Sequence, residues 1–164
     1  TSTFSLARAL QNGPVVLYFY PAAFTPGCSI EAHEFAEAMD RFKAEGATVV
    51  GASGDNLEVL KRFSTAGCQG RFGVLSDAGL KVAAQYDALD PFADSRAERV
   101  SYVITPDYRV YFTLASTNPM AHISATLQAV KRWRAEQKAP AREAPKEPPK
   151  DPPSLLRKKV IAMP

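Results

Sequence analysis

A run of six β-branched and aromatic residues, Val15-Val16-Leu17-Tyr18-Phe19-Tyr20, enters through Gly13-Pro14 and stops at Pro21. Such a run lacks the polar alternation of a strand with one wet face and reads as a central strand buried in a sheet. The rest of the chain has to supply its neighbours and its cover. After Thr25-Pro26-Gly27, the apolar residues Ile30, Phe35, Ala38, Met39 and Phe42 recur with Glu31, Glu34, Glu37, Asp40, Arg41 and Lys43 between them, which predicts an amphipathic helix stopping near Gly46. Ala47 to Ala52 reads as a second buried strand, and Asn56 to Ala66 as a helix with Leu57, Leu60 and Phe63 facing inward. A short strand at 72–75 and a short helix at 80–85 follow. Val100–Thr105 and Val110–Leu114 read as a hairpin across Pro106-Asp107, and a helix over 119–136 closes the pattern.

The order β, α, β, α, β, α, β, β, α predicts an α/β fold: parallel strands joined by crossovers, an antiparallel hairpin at one side, and helices on both faces of a central mixed sheet. That architecture is thioredoxin-like. The expected domain covers residues 1–138. From Ala139 onward 7 of the last 26 residues are Pro, alternating with charges, so 139–164 is expected to be a Pro-rich, basic, disordered tail. Within it Leu155-Leu156 and Val160-Ile161 could serve as a docking segment or a partner-binding peptide.

Charge narrows the function classes. Residues 1–138 carry 14 basic and 14 acidic side chains, and the tail carries 6 against 3, so the net +3 belongs to the tail. A neutral body lacks the basic stripe that tracks a phosphate backbone, which argues against nucleic-acid binding. No apolar run is long enough for a membrane span, and no basic patch followed by an apolar stretch marks a leader, so a soluble cytoplasmic protein is expected. Two cysteines, Cys28 and Cys68, are too few for a disulfide framework or a cysteine-rich zinc site. Packing and redox chemistry remain as their possible uses.

The placement of Cys28 favours chemistry. A buried strand ends in a loop that delivers the cysteine to the first turn of a helix, where unpaired N–H groups and the positive end of the dipole favour a thiolate. An ordinary cysteine with a pKa of about 8.5 is only about 3% ionised at pH 7, and bringing such a group to about 6 takes roughly 3.4 kcal/mol. A helix terminus supplies about 0.3 to 1 kcal/mol and at best about 2. A cation and a hydroxyl are therefore needed. Thr25, in the same loop, is the candidate hydroxyl, able to donate to the sulfur or to a substrate oxygen beside it. Arg99, opening the strand that begins at Val100, is the candidate cation, with Arg96 as its competitor.

Pro21-Ala22-Ala23-Phe24-Thr25-Pro26-Gly27-Cys28 matches the Pro-x-x-x-Thr-x-x-Cys signature of peroxiredoxins. The flanking Tyr18-Phe19-Tyr20 and Glu31-Ala32 resemble the bacterioferritin-comigratory or PrxQ branch. Gly51-Ala52-Ser53-Gly54-Asp55, Leu75-Ser76-Asp77 and Arg99-Val100-Ser101-Tyr102-Val103-Ile104 resemble successive segments of the same family, over roughly residues 4–134. The resemblance implies reduction of hydrogen peroxide or organic hydroperoxides. Cys28 would be the peroxidatic cysteine, Thr25 and Arg99 would orient the peroxide, Pro21 would shield the thiolate, and Glu31 would orient the arginine. Cys68 resembles a resolving cysteine on the helix after the second strand. Its disulfide with Cys28 would need local unwinding around Cys28 and would be recycled by a thioredoxin-type dithiol protein. No metal, flavin or haem is implied, and a monomer or weak homodimer is expected.

Three departures stand beside the match. The hairpin that family members place before the first central strand is expected to be largely absent, Gly73 stands where Pro is frequent, and Tyr108 occupies a turn position where Gly is usual. His33 and His122 lack a second ligand nearby in sequence and are expected to have ordinary structural or surface roles. Two other classes stay open. A thiol–disulfide oxidoreductase would share the fold but usually carries Cys-x-x-Cys, and here the residue three after Cys28 is Glu31. A non-catalytic redox-sensing module would instead present the Pro-rich tail to a partner.

Overall fold

The computed structural model describes residues 2–139. The expected tail, apart from Ala139, lies outside them. The chain folds as α1 (Leu6–Leu10), β1 (Val15–Phe19), α2 (Pro26–Ala44), β2 (Thr48–Ser53), α3 (Leu57–Ala66), β3 (Gly73–Ser76), α4 (Lys81–Gln85), β4 (Leu89–Asp90), β5 (Ala93–Ala97), β6 (Val100–Ile104), β7 (Val110–Ala115) and α5 (Pro119–Lys138). Five strands form one mixed sheet in the order β3-β2-β1-β6-β7. The strand read as central is central: β1 runs parallel to β2 and antiparallel to β6, and all five of its residues are buried.

Register decides which side chains share a face. Tyr18 pairs with Gly51 on one side and Ser101 on the other, so alternate residues of β1 and β6 point toward α2 and α5. On that face Val16, Tyr18, Phe35, Met39, Phe42, Val103, Leu127 and Val130 pack into one cluster that also holds Cys28 and Cys68. The opposite face packs Leu17, Phe19, Val50, Val100 and Ile104 against Leu10 of α1, Ala83 of α4 and Leu80, the N-cap residue of α4. Gly51 leaves room for the Tyr18 ring. A Cβ there would lie 2.7 Å from that ring, so a larger residue would force the ring to shift.

Two sequence expectations are corrected in the helices. Ile30, assigned to the apolar stripe of the first long helix, is 48% exposed, whereas Glu31, placed among its polar residues, is fully buried. The step from Ile30 to Phe35 is five residues and breaks helical rhythm, while Glu31 lies one full turn before Phe35 and three residues after Cys28. Leu57 was expected to face inward and is 41% exposed, for it stands at the first position of α3, where the side chain precedes the packed turn. Two elements escaped the sequence reading, α1 and the β4–β5 hairpin. Ala93–Ala97 contains Asp94, Ser95 and Arg96, so it carries no strand-like apolar pattern. Tyr108 adopts φ 62° in the β6–β7 turn, the left-handed conformation that the turn demands.

Candidate active site

Where β1 ends, Tyr20 N–H donates to the Ala52 carbonyl at 3.1 Å, extending the pairing by one residue before Pro21 breaks away. The loop that follows is fastened from the next crossover. Asp55, just beyond β2, accepts from the Ala23 N–H and from the Ser53 hydroxyl, each at 2.7 Å. Phe24 stands at φ 62° and sets its ring edge against Phe63 of α3, with centroids 5.2 Å apart. Thr25 is the N-cap residue of α2 and Pro26 its first helical residue, so the missing proline N–H costs the helix nothing. Cys28 therefore lies in the first turn of a 19-residue helix and is 2% exposed.

Arg99 meets it there. Its Nη2 lies 3.3 Å from Cys28 Sγ, and its Nη1 donates to Glu31 Oε2, so one guanidinium links the sulfur to the buried carboxyl one helical turn away. A planar fork presents its donors to both in a fixed geometry, which the rotating ammonium of a lysine does not. Gly27 makes the approach possible, because a Cβ at that position would stand 2.9 Å from Arg99 Nη2. Arg96 is elsewhere, its Nε donating to Asp90 at 2.6 Å in an exposed pair. The Thr25 hydroxyl donates to the Ala22 carbonyl at 2.8 Å, and the residue is exposed.

Behind Glu31 lies a buried polar wall that sequence reasoning did not find. His122, in the first turn of α5, is fully buried and bonded at both ring nitrogens, to the Ser101 hydroxyl at 2.7 Å and to the Ser116 carbonyl at 2.8 Å. Its Nδ1 stands 3.8 Å from Glu31 Oε1, which has no hydrogen-bond partner among the described residues. Burial raises the Glu31 carboxyl to about 7 despite the opposing pull of Arg99. Burial likewise lowers the His122 ring below its ordinary range. The sequence signal for His122 was weak, since a histidine at a helix start acquires meaning only through partners distant in the chain.

Cys68 occupies a different setting. It follows α3 by two residues, is fully buried in the same core cluster, and its backbone N–H closes on the Phe63 carbonyl at 3.2 Å. Burial pushes its thiol up to about 12. Both cysteines are free. The turn carrying Cys68 is tied down on the outer face of α2: Gln69 Nε2 lies 3.0 Å from His33 Nδ1 and 3.1 Å from Glu37 Oε1, and Arg71 donates to Asp40 at 2.7 Å. Among the described residues no group of acidic, histidine or cysteine side chains is arranged to hold a metal, and no helix is long and apolar enough to cross a membrane.

Comparison with known proteins gives this arrangement a lineage. Residues 1–113 match the AhpC/TSA family. Chloroplastic peroxiredoxin Q of Sedum lineare is 36% identical over 122 residues, covering 74% of this chain and 65% of that protein, and its Populus jackii counterpart is 35% identical over 132 residues, covering 79% and 60%. The chain thus spans less than two thirds of the length of these plant relatives. Among solved structures, peroxidoxin BcpB from Mycobacterium tuberculosis superposes with a TM-score of 0.72 at 33% identity over 77% of this chain and 84% of that one. Peroxiredoxin Q of Xanthomonas campestris gives 0.67 at 26%, over 75% and 80%. A thioredoxin-like sheet with a cysteine at the start of its first long helix is thus joined to a match running through most of the domain, and the chain belongs to the AhpC/TSA family of peroxiredoxins.

Proposed function

We propose that the protein is a thiol-dependent peroxidase that reduces hydrogen peroxide and organic hydroperoxides at Cys28. The observation that carries this reading is the 3.3 Å approach of Arg99 Nη2 to Cys28 Sγ, with the guanidinium held from behind by buried Glu31. A fixed cation beside the sulfur favours thiolate, and the same donor fork stabilises charge that develops on a departing oxygen. Because the site is set before substrate arrives, little reorganisation is needed during reaction. A neighbour, the Xanthomonas campestris bacterioferritin comigratory protein, is described by its alkyl peroxide reduction activity, which supports organic hydroperoxides as substrates here.

In the proposed cycle the Cys28 thiolate attacks the distal oxygen of the peroxide. The S–O bond forms, the O–O bond breaks, and the leaving alkoxide or hydroxide takes up a proton, leaving a sulfenic acid on Cys28. Thr25 lies at the mouth, where its hydroxyl oxygen can accept from the peroxide O–H, and half-buried Pro21 limits water at the sulfur. Cys68 then attacks the sulfenic sulfur. The S–S bond forms and water leaves, and a thioredoxin-type dithiol protein reduces the disulfide by exchange. Because Cys68 is packed and protonated, this step requires the 67–70 turn or the first turn of α2 to open. Two free thiols suit a reducing compartment such as the cytoplasm.

The test is peroxide consumption with a dithiol reductant. Cys28→Ser should abolish it, and retention of turnover in that variant would overturn the assignment. Thr25→Val should lower the rate constant for peroxide more than Thr25→Ser does, and equal rates would remove Thr25 from the site. A thiol–disulfide oxidoreductase finds less support, since Glu31 stands where the second cysteine of that motif would be.

A further inference from the structure

Among the described residues, the carboxyl of Glu31 has one oxygen without a hydrogen-bond partner. Oε2 accepts from Arg99, but Oε1 is buried without a donor and looks toward His122 Nδ1 at 3.8 Å. The protonation of that ring follows from its partners. The Ser116 carbonyl can only accept, so His122 Nε2 carries the hydrogen, and in the neutral ring Nδ1 is then a lone pair that accepts from the Ser101 hydroxyl. A carboxylate oxygen therefore faces a nitrogen lone pair with no proton between them. That arrangement disfavours the ionised carboxyl, whereas a protonated Oε1 would face an acceptor nitrogen and compete with the Ser101 hydroxyl for its lone pair.

The ring is held in that orientation by the fold. Ser101 pairs in register with Tyr18 of β1, placing both on the face that α2 and α5 cover, and Ser116 is tied to the Arg99 carbonyl through its own N–H at 3.2 Å. His122 thus contacts Ser101, two residues beyond Arg99, and Ser116, whose backbone is hydrogen-bonded to that of Arg99. The other groups near Glu31 are Arg99 just before β6, Cys28 from the preceding turn of α2, and the Tyr18 hydroxyl of β1, which has no hydrogen-bond partner among the described residues.

We propose that His122 is a positioning residue of the peroxidase site, its Nδ1 holding Glu31 ready to carry a proton at Oε1 and so setting how much of the Arg99 charge is left to the Cys28 sulfur. The first half concerns Glu31 alone, and the second rests on the peroxidase reading. When Glu31 is ionised, the guanidinium is divided between two anionic partners. When Glu31 is neutral, the charge of Arg99 belongs to the sulfur. The exchange is balanced: a proton leaving Cys28 and a proton held at Glu31 keep one negative charge beside one guanidinium. Burial already raises the Glu31 carboxyl to about 7, so both of its protonation states are within reach at neutral pH.

Two variants should act in opposite directions. His122→Leu removes the acceptor and should lower the Glu31 titration midpoint by about one pH unit, a tenfold change in proton affinity. Ser101→Ala frees Nδ1 from its competing donor and should raise the midpoint by about half a unit. His122→Asn, which restores an acceptor near the Nδ1 position, should return the midpoint toward the wild-type value. The reading is carbon-13 NMR titration of the Glu31 carboxyl in the full chain, assigned by its loss in Glu31→Gln, with the pH profile of Cys28 oxidation by hydrogen peroxide recorded in parallel. Midpoints that stay within a few tenths of a unit, or that move in the same direction in His122→Leu and Ser101→Ala, would overturn the proposal. Should wild-type Cys28 fail to oxidise at any pH, the peroxidase reading and the second half fall together, and the midpoints still decide the first.

Discussion

The two cysteines lie in one core cluster yet face opposite physical settings. Cys28 stands at a helix start with a guanidinium at 3.3 Å and a buried carboxyl behind it. Cys68 sits in a turn among apolar side chains, and its thiol is pushed up to about 12 by burial alone. The contrast teaches that equal burial can go with unlike surroundings. Both sulfurs are almost inaccessible, but one has a cation and helix N–H groups while the other has only desolvation. In the proposed cycle this difference orders the chemistry: Cys28 reacts with peroxide, and Cys68 stays silent until its turn opens.

Removing the cation should break the contrast most severely. Arg99→Ala should slow Cys28 oxidation about 10²- to 10³-fold, the range found when a preorganised donor is lost, as read by stopped-flow kinetics with hydrogen peroxide. Arg96→Ala, whose side chain engages Asp90 instead, should change that rate less than about twofold on the same scale. Crowding the cation is milder. Gly27→Ala places a Cβ 2.9 Å from Arg99 Nη2, and displacing the guanidinium by a few tenths of an ångström should cost about tenfold in the same assay. An unchanged rate would mean that the observed placement of Arg99 is not the one that matters.

The Cys68 side can be loosened instead. Replacing Gln69 and Arg71 together by alanine removes the ties to His33, Glu37 and Asp40, and should speed disulfide formation about twofold to fivefold after a single peroxide pulse. Slower formation would show that these contacts guide Cys68 rather than restrain it. The smallest effect is on alkaline stability. Folding raises the Cys68 pKa from about 9 to about 12, so the packed state holds this proton more tightly. Its contribution is complete below about pH 9 and is lost as pH climbs toward 12. The melting temperature of the reduced wild type should therefore fall faster above pH 9 than that of Cys68→Ala, by a few degrees. Parallel curves would place Cys68 in a less confining site.

How much of this was legible in the sequence depended on whether the cause was local. Val15–Tyr20 announced the central strand because burial on both faces leaves no polar alternation, and Pro26 marked the start of α2 because proline suits a first helical position. Leu89–Asp90 and Ala93–Ala97 gave no signal, for the hairpin is short and its central residues Asp94, Ser95 and Arg96 are exposed, with only Ala97 fully buried. Within the site, Cys28 and Arg99 were visible through motif and resemblance. The burial of Glu31 was readable from the turn separating it from Phe35, but grouping by residue type obscured it. His122 needed Ser101 and Ser116 brought beside it, a juxtaposition created by pairing β6 with β1 and laying α5 across that face. The bond from the Thr25 hydroxyl to its own loop carbonyl, at Ala22, was not readable, because it depends on how the loop turns before α2.

The central claim is that Cys28 is the reacting thiol and Cys68 the one that answers it. Intact mass with peptide mapping, after one equivalent of hydrogen peroxide is added to the reduced protein and sampled over time, tests this most directly. The account predicts one added oxygen on Cys28 first. A net loss of two hydrogens as a dithiol-reversible Cys28–Cys68 disulfide should follow, with only the first product in Cys68→Ser and neither in Cys28→Ser. Oxygen appearing first on Cys68, or oxidation at equal rate in Cys28→Ser, would contradict it.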